Sequence, residues 1–368
     1  MASFVFVSWD GGGNVAVALG IGAALVRRGH AVTVLGPRSL RNWILSVDLG
    51  YRELGLPPPL EPAVRSEYLV EVVGSTTLVG ALGELIGQLD PDGLVIDCNL
   101  AWALELVTSV PSAVLVHTAL GLYLPAWQPV IDAANGRRAA AGLVPFRPAA
   151  EEWCSHDLVL IASVAHFDRP VVPLPPNAAY VGLVQSPLPS GLREASALGP
   201  PGQRLVLVSY STDRLQNHAA RIHAALDALA EVPVHVVAST SGVFGIDQLS
   251  VPANATVVDY VPHDQVMPRA AAVVAHAGHG TTLAALCQGV PVVCVPGLGR
   301  DQIPIAGRVA ELGLGISLAE DATSSDIRTA VRTILDDGSY RRRAREFKSR
   351  CGQPLGAERA AQRLEAMR

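Results

Sequence analysis

Two stretches of the chain, one from Ser3 and one from Arg204, follow the same order: apolar strand, polar turn, helix, apolar strand. The first reads FVFVSWDGGGNVAVALGIGAALVRRGHAVTVLGP. The second opens RLVLVSYST and continues through a helical stretch from Asn217 to Ala230 into VPVHVVAST. Strands that are apolar almost throughout are buried on both faces, so their alternation with helices predicts parallel sheets covered by helices on both sides. In the first repeat Val15, Leu19, Ile21 and Leu25 share one broad helix face. Arg27 and Arg28 suit the electronegative helix end, and Gly29 closes it. Further strands are predicted from Gly93 to Asp97 and from Ser112 to His117. The second half adds VVDYVP, VVAHAGHGTTLAALCQG and VPVVCVPGLGRDQ. The fold class is α/β, built from two Rossmann-like halves.

With 368 residues and roughly 150 per domain, two domains are expected. The Pro-, Gly- and Ser-rich stretch 185–203 separates the halves as a linker. The expected division is therefore 1–184, linker 185–203, 204–345, and a C-terminal helical segment 346–368 that returns to the first domain. Helix is predicted from Asp326 onward, with the basic run Arg341 to Arg350 on a solvated face. The segment from Ala119 to Trp153 is less regular. Its aromatics Tyr123, Trp127 and Phe146 either fill a core or line a ligand pocket.

Composition excludes several chemistries. The net charge is −5, which opposes a nucleic-acid partner. Hydrophobic residues make up 49% and charged residues 17%, as in a core-rich globular chain. Yet no apolar run approaches the ~18 residues of a membrane span. With no basic leader before the first strand, the expected location is the cytoplasm. Lys348, in the arginine-rich tail, is the single lysine among the 28 basic residues, so neither a Walker A lysine nor a Schiff-base lysine is at hand. The five cysteines form no CxxC pair and read as reduced thiols, Cys287 and Cys294 as packing residues. No GxSxG or HExxH occurs, and the pairs Gly20/Gly22 and Gly297/Gly299 lack the third glycine of a dinucleotide turn. His276 and His279 have no third ligand nearby in sequence, so no metal is expected.

The informative segment is His276-Ala-Gly-His-Gly-Thr-Thr282, which follows an apolar strand and opens a helix running to about Gln288. Glycines admit close backbone approach, and the free amides of a helix start hold an anion without lysine. Twenty residues on, Asp301 and Gln302 place a carboxylate and an amide after a strand end, where open α/β sheets bind ligands and where vicinal sugar hydroxyls could be held.

Taken together, HAGHGTTLAALCQGVPVVCVPGLGRDQIPIAGRVAELGLG resembles the nucleotide-sugar signature of family 1 glycosyltransferases of the GT-B fold, closest to the bacterial natural-product type. RRGHAVTVLG, VVDYVP and RLVLVSYST agree with it, and the resemblance is weakest over 55–90. It implies two Rossmann-like domains facing across a cleft, the N-terminal one for the acceptor and the C-terminal one for the donor. It implies an inverting transfer of a (deoxy)sugar from a nucleoside diphosphate, dTDP favoured over UDP, to a small aglycone. The sugar nucleotide is a co-substrate, and no cofactor or metal is expected. The assembly is a monomer or homodimer, with no nucleic acid or membrane partner. By the same resemblance His276, Gly278, Gly280 and Thr281 face the diphosphate with Ser211 and Thr212. Val261 lies against the nucleobase, and Asp301 and Gln302 hold the sugar; Arg300 and His263 are less firmly placed.

One position departs from the pattern. The first loop of this family carries a His that deprotonates the acceptor; here that position is Asn14, and the Pro three residues later is Val17. An amide has no base function. Asp97 matches the acid that partners the missing His, and Asp10 shares the loop. Either carboxylate could serve, with Asp97 favoured and Asn14 orienting the acceptor; His117 or the substrate itself comes next. A carboxylate base suits an acidic acceptor, such as an aromatic polyketide or phenol. The alternatives are a nucleotide-sugar-binding helper without catalysis, motivated by Asn14, and an epimerase of the same fold.

Overall fold

Strand pairing is parallel throughout the described residues, in two separate sheets. The structure is a computed structural model that describes residues 1–56, 70–75, 77–106, 109–169, 174–186, 199–200, 202–211, 219–297 and 299–367. The chain divides into two units, Met1–Ser190 with Pro354–Arg368, and Gly191–Gln353.

The first unit holds β1 (Ser3–Val7), β2 (Ala31–Gly36), β3 (Gly50–Glu53), β4 (Gly93–Asp97), β5 (Ser112–Val116), β6 (Leu158–Ile161) and β7 (Ala178–Tyr180), in the order β3-β2-β1-β4-β5-β6-β7. Alternation along the strands divides its core. Val5, Val7, Ile96 and Val114 pack with Trp102 and Trp127 on one face, whereas Phe4, Phe6, Val95 and Leu115 pack with Leu19 and Leu25 on the other. The helix Gly13–Arg27 ends as its sequence predicts, with Gly29 at φ +86°. Gly20 serves packing: a side chain there would collide with the Gln185 carbonyl.

Of the segment 119–153, Leu120–Ala140 and Ala149–Cys154 are helical. Tyr123, Trp127 and Phe146 are 5%, 1% and 4% exposed, and Tyr123 stacks on Trp127 with centroids 5.5 Å apart. These rings belong to the core: helix Leu120–Ala140 turns Tyr123 and Trp127 onto the sheet, and Phe146, in the segment after it, joins the same cluster. The structure therefore favours the core alternative over the pocket-lining one for these rings.

The second unit holds β8 (Leu205–Ser209), β9 (His235–Ser239), β10 (Ala255–Val258), β11 (Ala270–Ala275), β12 (Val292–Cys294) and β13 (Gly315–Ser317), ordered β10-β9-β8-β11-β12-β13. Helices Ala219–Leu229 and Ser324–Asp336 cover one face over Val206, Val208, Val236 and Val274. Cys294 is buried as expected of a packing residue, but Cys287 meets Cys351 with the sulfurs 2.7 Å apart.

The division near the C-terminus lies at 353/354, not at 345/346. Helix Gly338–Cys351 runs through the expected boundary and stops at Gly352, whose φ is +71°. The following helix, Gly356–Ala366, joins the first unit, where Ala360, Ala361 and Leu364 enter the core beside Leu25. Ion pairs Arg27–Glu358 (2.8 Å) and Arg28–Glu365 (2.6 Å) rim this contact. Hydrogen bonds from Arg28 and His30 hold the Glu365 carboxyl at about 2, well below the usual carboxylate range. Most of the expected linker, 187–198 and 201, lies outside the described residues.

Candidate functional site

In each sheet the strand order reverses at the first strand of the unit. β1 lies between β2 and β4, and β8 lies between β9 and β11. Crevices outside the carboxyl ends of strands at such switch points are where open α/β sheets bind ligands. Both groups of residues singled out from the sequence fall at these two places.

At the second-unit edge, Ser209 is paired with Ala275 and Ala275 with Cys294, so the loops after β8, β11 and β12 leave the sheet side by side. Ser211, His276 and the Gly297–Asp301 loop therefore emerge together. His276 is 7% exposed. Ala277 takes a left-handed conformation, φ +61°, which costs a non-glycine residue about 1 kcal/mol. This kink brings Gly278 to the N-cap of helix His279–Cys287, where any side chain would strike the His276 ring. A side chain at Gly280, by contrast, would point into open space, so packing within the protein does not require that glycine. Thr282 is fully buried and Thr281 half-buried, which leaves Thr281 nearer the surface.

Asp301, half-buried, opens helix Gln302–Glu311 with no cap bond from its side chain to the helix amides. Gln302 is 2% exposed, and its Oε1 accepts from the Gly297 amide at 2.6 Å. It thereby braces the loop that presents Asp301. Val261 is buried in the segment after β10. His263, two residues on, meets the Ser209 hydroxyl at 3.0 Å and ties this segment to the end of β8. Burial pushes the His263 imidazole down to about 4. Thr212 lies outside the described residues.

Two residues at this edge were not singled out from the sequence. Tyr210 follows β8, with its ring 6.5 Å from that of His276, and burial pushes its hydroxyl up to about 12. The Arg221 guanidinium lies 5.6 Å over the Tyr210 ring and donates to the Pro296 carbonyl at 2.5 Å. A lone arginine on an otherwise apolar helix face was the available signal. Its significance depends on β8 and β12 flanking β11, which brings the segments after them to one edge.

At the first-unit edge the loop after β1 meets the end of β4. Asn14 is 2% exposed, and its Nδ2 donates to the Trp9 carbonyl (2.9 Å) and to Asp97 Oδ2 (2.8 Å). The two acceptors fix which end of the amide is nitrogen, and Oδ1 is left buried without a partner. Asp97 is 3% exposed and also accepts from the Asn99 amide (3.0 Å) and the Trp9 indole (3.3 Å). Asp10 stands apart, half-buried, and accepts from the Ser39 hydroxyl at 2.7 Å. His117, one residue past β5, has Nδ1 3.8 Å from Asp97 Oδ2 and 3.8 Å from Cys98 Sγ.

Asp97, Cys98 and His117 offer metal-ligating atoms within 4.8 Å of one another. Both Asp97 oxygens already accept hydrogen bonds, however, and the Cys98 thiol donates to Asn99 Oδ1 at 3.3 Å. The three groups are thereby tied into a polar network with their neighbours.

Comparison with known proteins fits this arrangement. Residues 223–367 match the family described as Erythromycin biosynthesis protein CIII-like, C-terminal domain. The chain is 33% identical over 187 residues to the 4'-demethylrebeccamycin synthase of Lentzea aerocolonigenes, covering 50% of this chain and 44% of that protein. The matched stretch spans less than half the length of the curated relatives. Among solved structures, the calicheamicin glycosyltransferase superposes with a TM-score of 0.78 at 23% identity, covering 100% of this chain and 98% of the other. A spinosyn rhamnosyltransferase complexed with thymidine diphosphate superposes with a TM-score of 0.74 at 19% identity, covering 97% and 98%. Residues 223–367 are thus similar to this family, and the two parallel sheets share the GT-B fold of these solved glycosyltransferases.

Proposed function

We propose that the chain transfers a sugar from a nucleoside diphosphate, dTDP in preference to UDP, to a small aglycone with inversion at the anomeric carbon. The observation that carries this reading is the turn His276–Thr281 at the β8/β11 switch point. There an imidazole, a helix start and a glycine with open space above it converge. Fixed amide dipoles and nearby Arg221 would answer the charge of the leaving diphosphate as its bond to the sugar breaks, without reorganisation and with no metal called for. Ser211 and Thr212 would join the phosphate contacts, Val261 would back the nucleobase, and Asp301, on a loop braced by Gln302, would hold sugar hydroxyls. The thymidine diphosphate bound to one structural neighbour supports the preference for dTDP. Holding donor and acceptor for in-line attack supplies the remaining rate enhancement.

A second reading, a sugar-nucleotide-binding helper without catalysis, draws on Asn14, whose amide is committed to Asp97 and Trp9. Thermal shift and product analysis separate the two. Thymidine diphosphate at 100 times its Kd should stabilise the protein by about 2.7 kcal/mol. His276→Ala should weaken nucleotide binding about tenfold or more. Asp301→Ala should leave nucleotide binding intact while impairing use of the sugar donor. Mass spectrometry of a donor and aglycone panel then reports transfer. No shift with either thymidine or uridine diphosphate at millimolar concentration overturns the donor reading, and tight donor binding without transfer favours the helper.

A further inference from the structure

Sugar transfer to a hydroxyl needs an acceptor for its proton, and the first-unit edge offers four polar side chains for that task. Asn14 cannot take a proton. Asp97 is sealed at 3% exposure; its Oδ1 accepts from Asn99 and Trp9 and its Oδ2 from Asn14, which leaves one acceptor position, on the Oδ2 that His117 faces. Asp10 lies away from this network and is engaged by Ser39. His117 remains. Its side chain is 15% exposed, Nδ1 faces Asp97 at 3.8 Å, and Nε2 has no partner among the described residues.

We infer that His117 is the general base toward the acceptor and that Asp97 is its positioning residue, an assignment that rests on the glycosyltransferase reading above. A carboxylate beside Nδ1 holds the N–H there and leaves the lone pair on Nε2, the division of labour found in nucleophile–base–acid triads. The 3.8 Å separation is too long for a hydrogen bond, and contacts of this kind commonly shorten when substrate binds. Tyr123 supports the ring edge-on at 5.8 Å, and its hydroxyl donates to Asn99 at 2.8 Å. The titratable groups facing His117 are thus Asp97 from β4, Cys98 after it and Tyr123 from helix Leu120–Ala140.

In the step, the acceptor oxygen forms a bond to the anomeric carbon as its proton passes to Nε2. The bond from that carbon to the diphosphate oxygen breaks, and the electron pair leaves with the nucleoside diphosphate. The imidazolium then returns its proton to solvent. The network around Asn14 accordingly acts from behind: it fixes Asp97, which fixes His117.

The test uses the full chain, dTDP- and UDP-sugars, and a series of phenol and alcohol acceptors. His117→Gln and His117→Ala should each lower kcat for transfer 10²–10⁴-fold while leaving the thymidine diphosphate thermal shift unchanged. The wild-type kcat/KM–pH profile should show an acid limb that His117→Gln lacks and that Asp97→Asn displaces. The loss should shrink for phenols already ionised at the assay pH, and added imidazole should partly restore His117→Ala. Full turnover with an unchanged acid limb in His117→Gln overturns the assignment. Wild-type protein that binds nucleotide but transfers to no acceptor overturns it together with the catalytic reading, whereas absence of any nucleotide shift identifies the donor reading as the failure.

Discussion

On the proposed reading, the two switch-point edges serve different tasks, and they are built from different materials. At β8/β11 the site is largely backbone: glycines, a strained Ala277 and a helix start, arranged over six consecutive residues. At β1/β4 it is a buried network, Asn14, Trp9, Asp97 and Asn99, joined by hydrogen bonds that span as much as 88 residues. Anion recognition by helix dipoles needs little beyond local geometry and space. Proton transfer needs a particular group held by others, and low local dielectric makes each missing partner costly. The second-unit edge should therefore lose ligand affinity when altered, and the first-unit edge should lose stability.

The sharpest test of that contrast pairs Asn14→Asp with Gly278→Ala. The first sets a second carboxyl against buried Asp97 in place of a donor, and should cost about 3–5 kcal/mol, a fall in Tm of about 6–20 °C. The second pushes a methyl group against the His276 ring and should reduce nucleotide affinity about tenfold at nearly unchanged Tm. Scanning calorimetry and nucleotide titration read both, and an Asn14→Asp variant as stable as the parent breaks the comparison.

A medium effect is expected at His263. Its folded-state value of about 4 lies below the unfolded imidazole at about 6.5. Between these values the unfolded chain binds the extra proton, so stability falls as pH drops from about 6.5 toward 4. The loss between pH 7 and pH 5 should be about 2 kcal/mol, and His263→Gln should flatten that part of the curve. Denaturant midpoints at the two pH values measure it, and an unchanged slope in the variant would assign the acid sensitivity elsewhere.

The smallest effect belongs to Glu365, on the returning helix Gly356–Ala366. Its depressed carboxyl contributes fully above the unfolded value of about 4.3 and loses that contribution as pH falls toward 2. Because the pair is largely solvated, Glu365→Gln at pH 7 should lower Tm by no more than about 3 °C. A larger drop would mean that the returning helix Gly356–Ala366 depends on this ion pair more than on Ala360, Ala361 and Leu364 in the core.

Much of this was legible beforehand because it is local. Strand alternation, the glycine ending the first helix, the restart at Arg204 and the turn at 276–282 are written in adjacent residues, and burial on both faces leaves such strands little choice but a parallel sheet. The end of helix Gly338–Cys351 was less legible: its boundary rests on Gly352 at the foot of a long basic helix, where charge masks the stop. The aromatics of 119–153 were undecided because neither choice between core and pocket changes their spacing.

What the linear order of residues determined by itself was the class of fold and the local strand–turn–helix course of 276–282. Only tertiary structure decided that Asn14 donates to Asp97, that Arg221 lies over Tyr210, and that His117 stands beside the sealed carboxylate. The reason is physical: β1, β4 and β5 are adjacent through parallel crossovers, so 83 residues separate Asn14 from the carboxylate it touches. Spacing in sequence carries no record of such a meeting until the strands are in register.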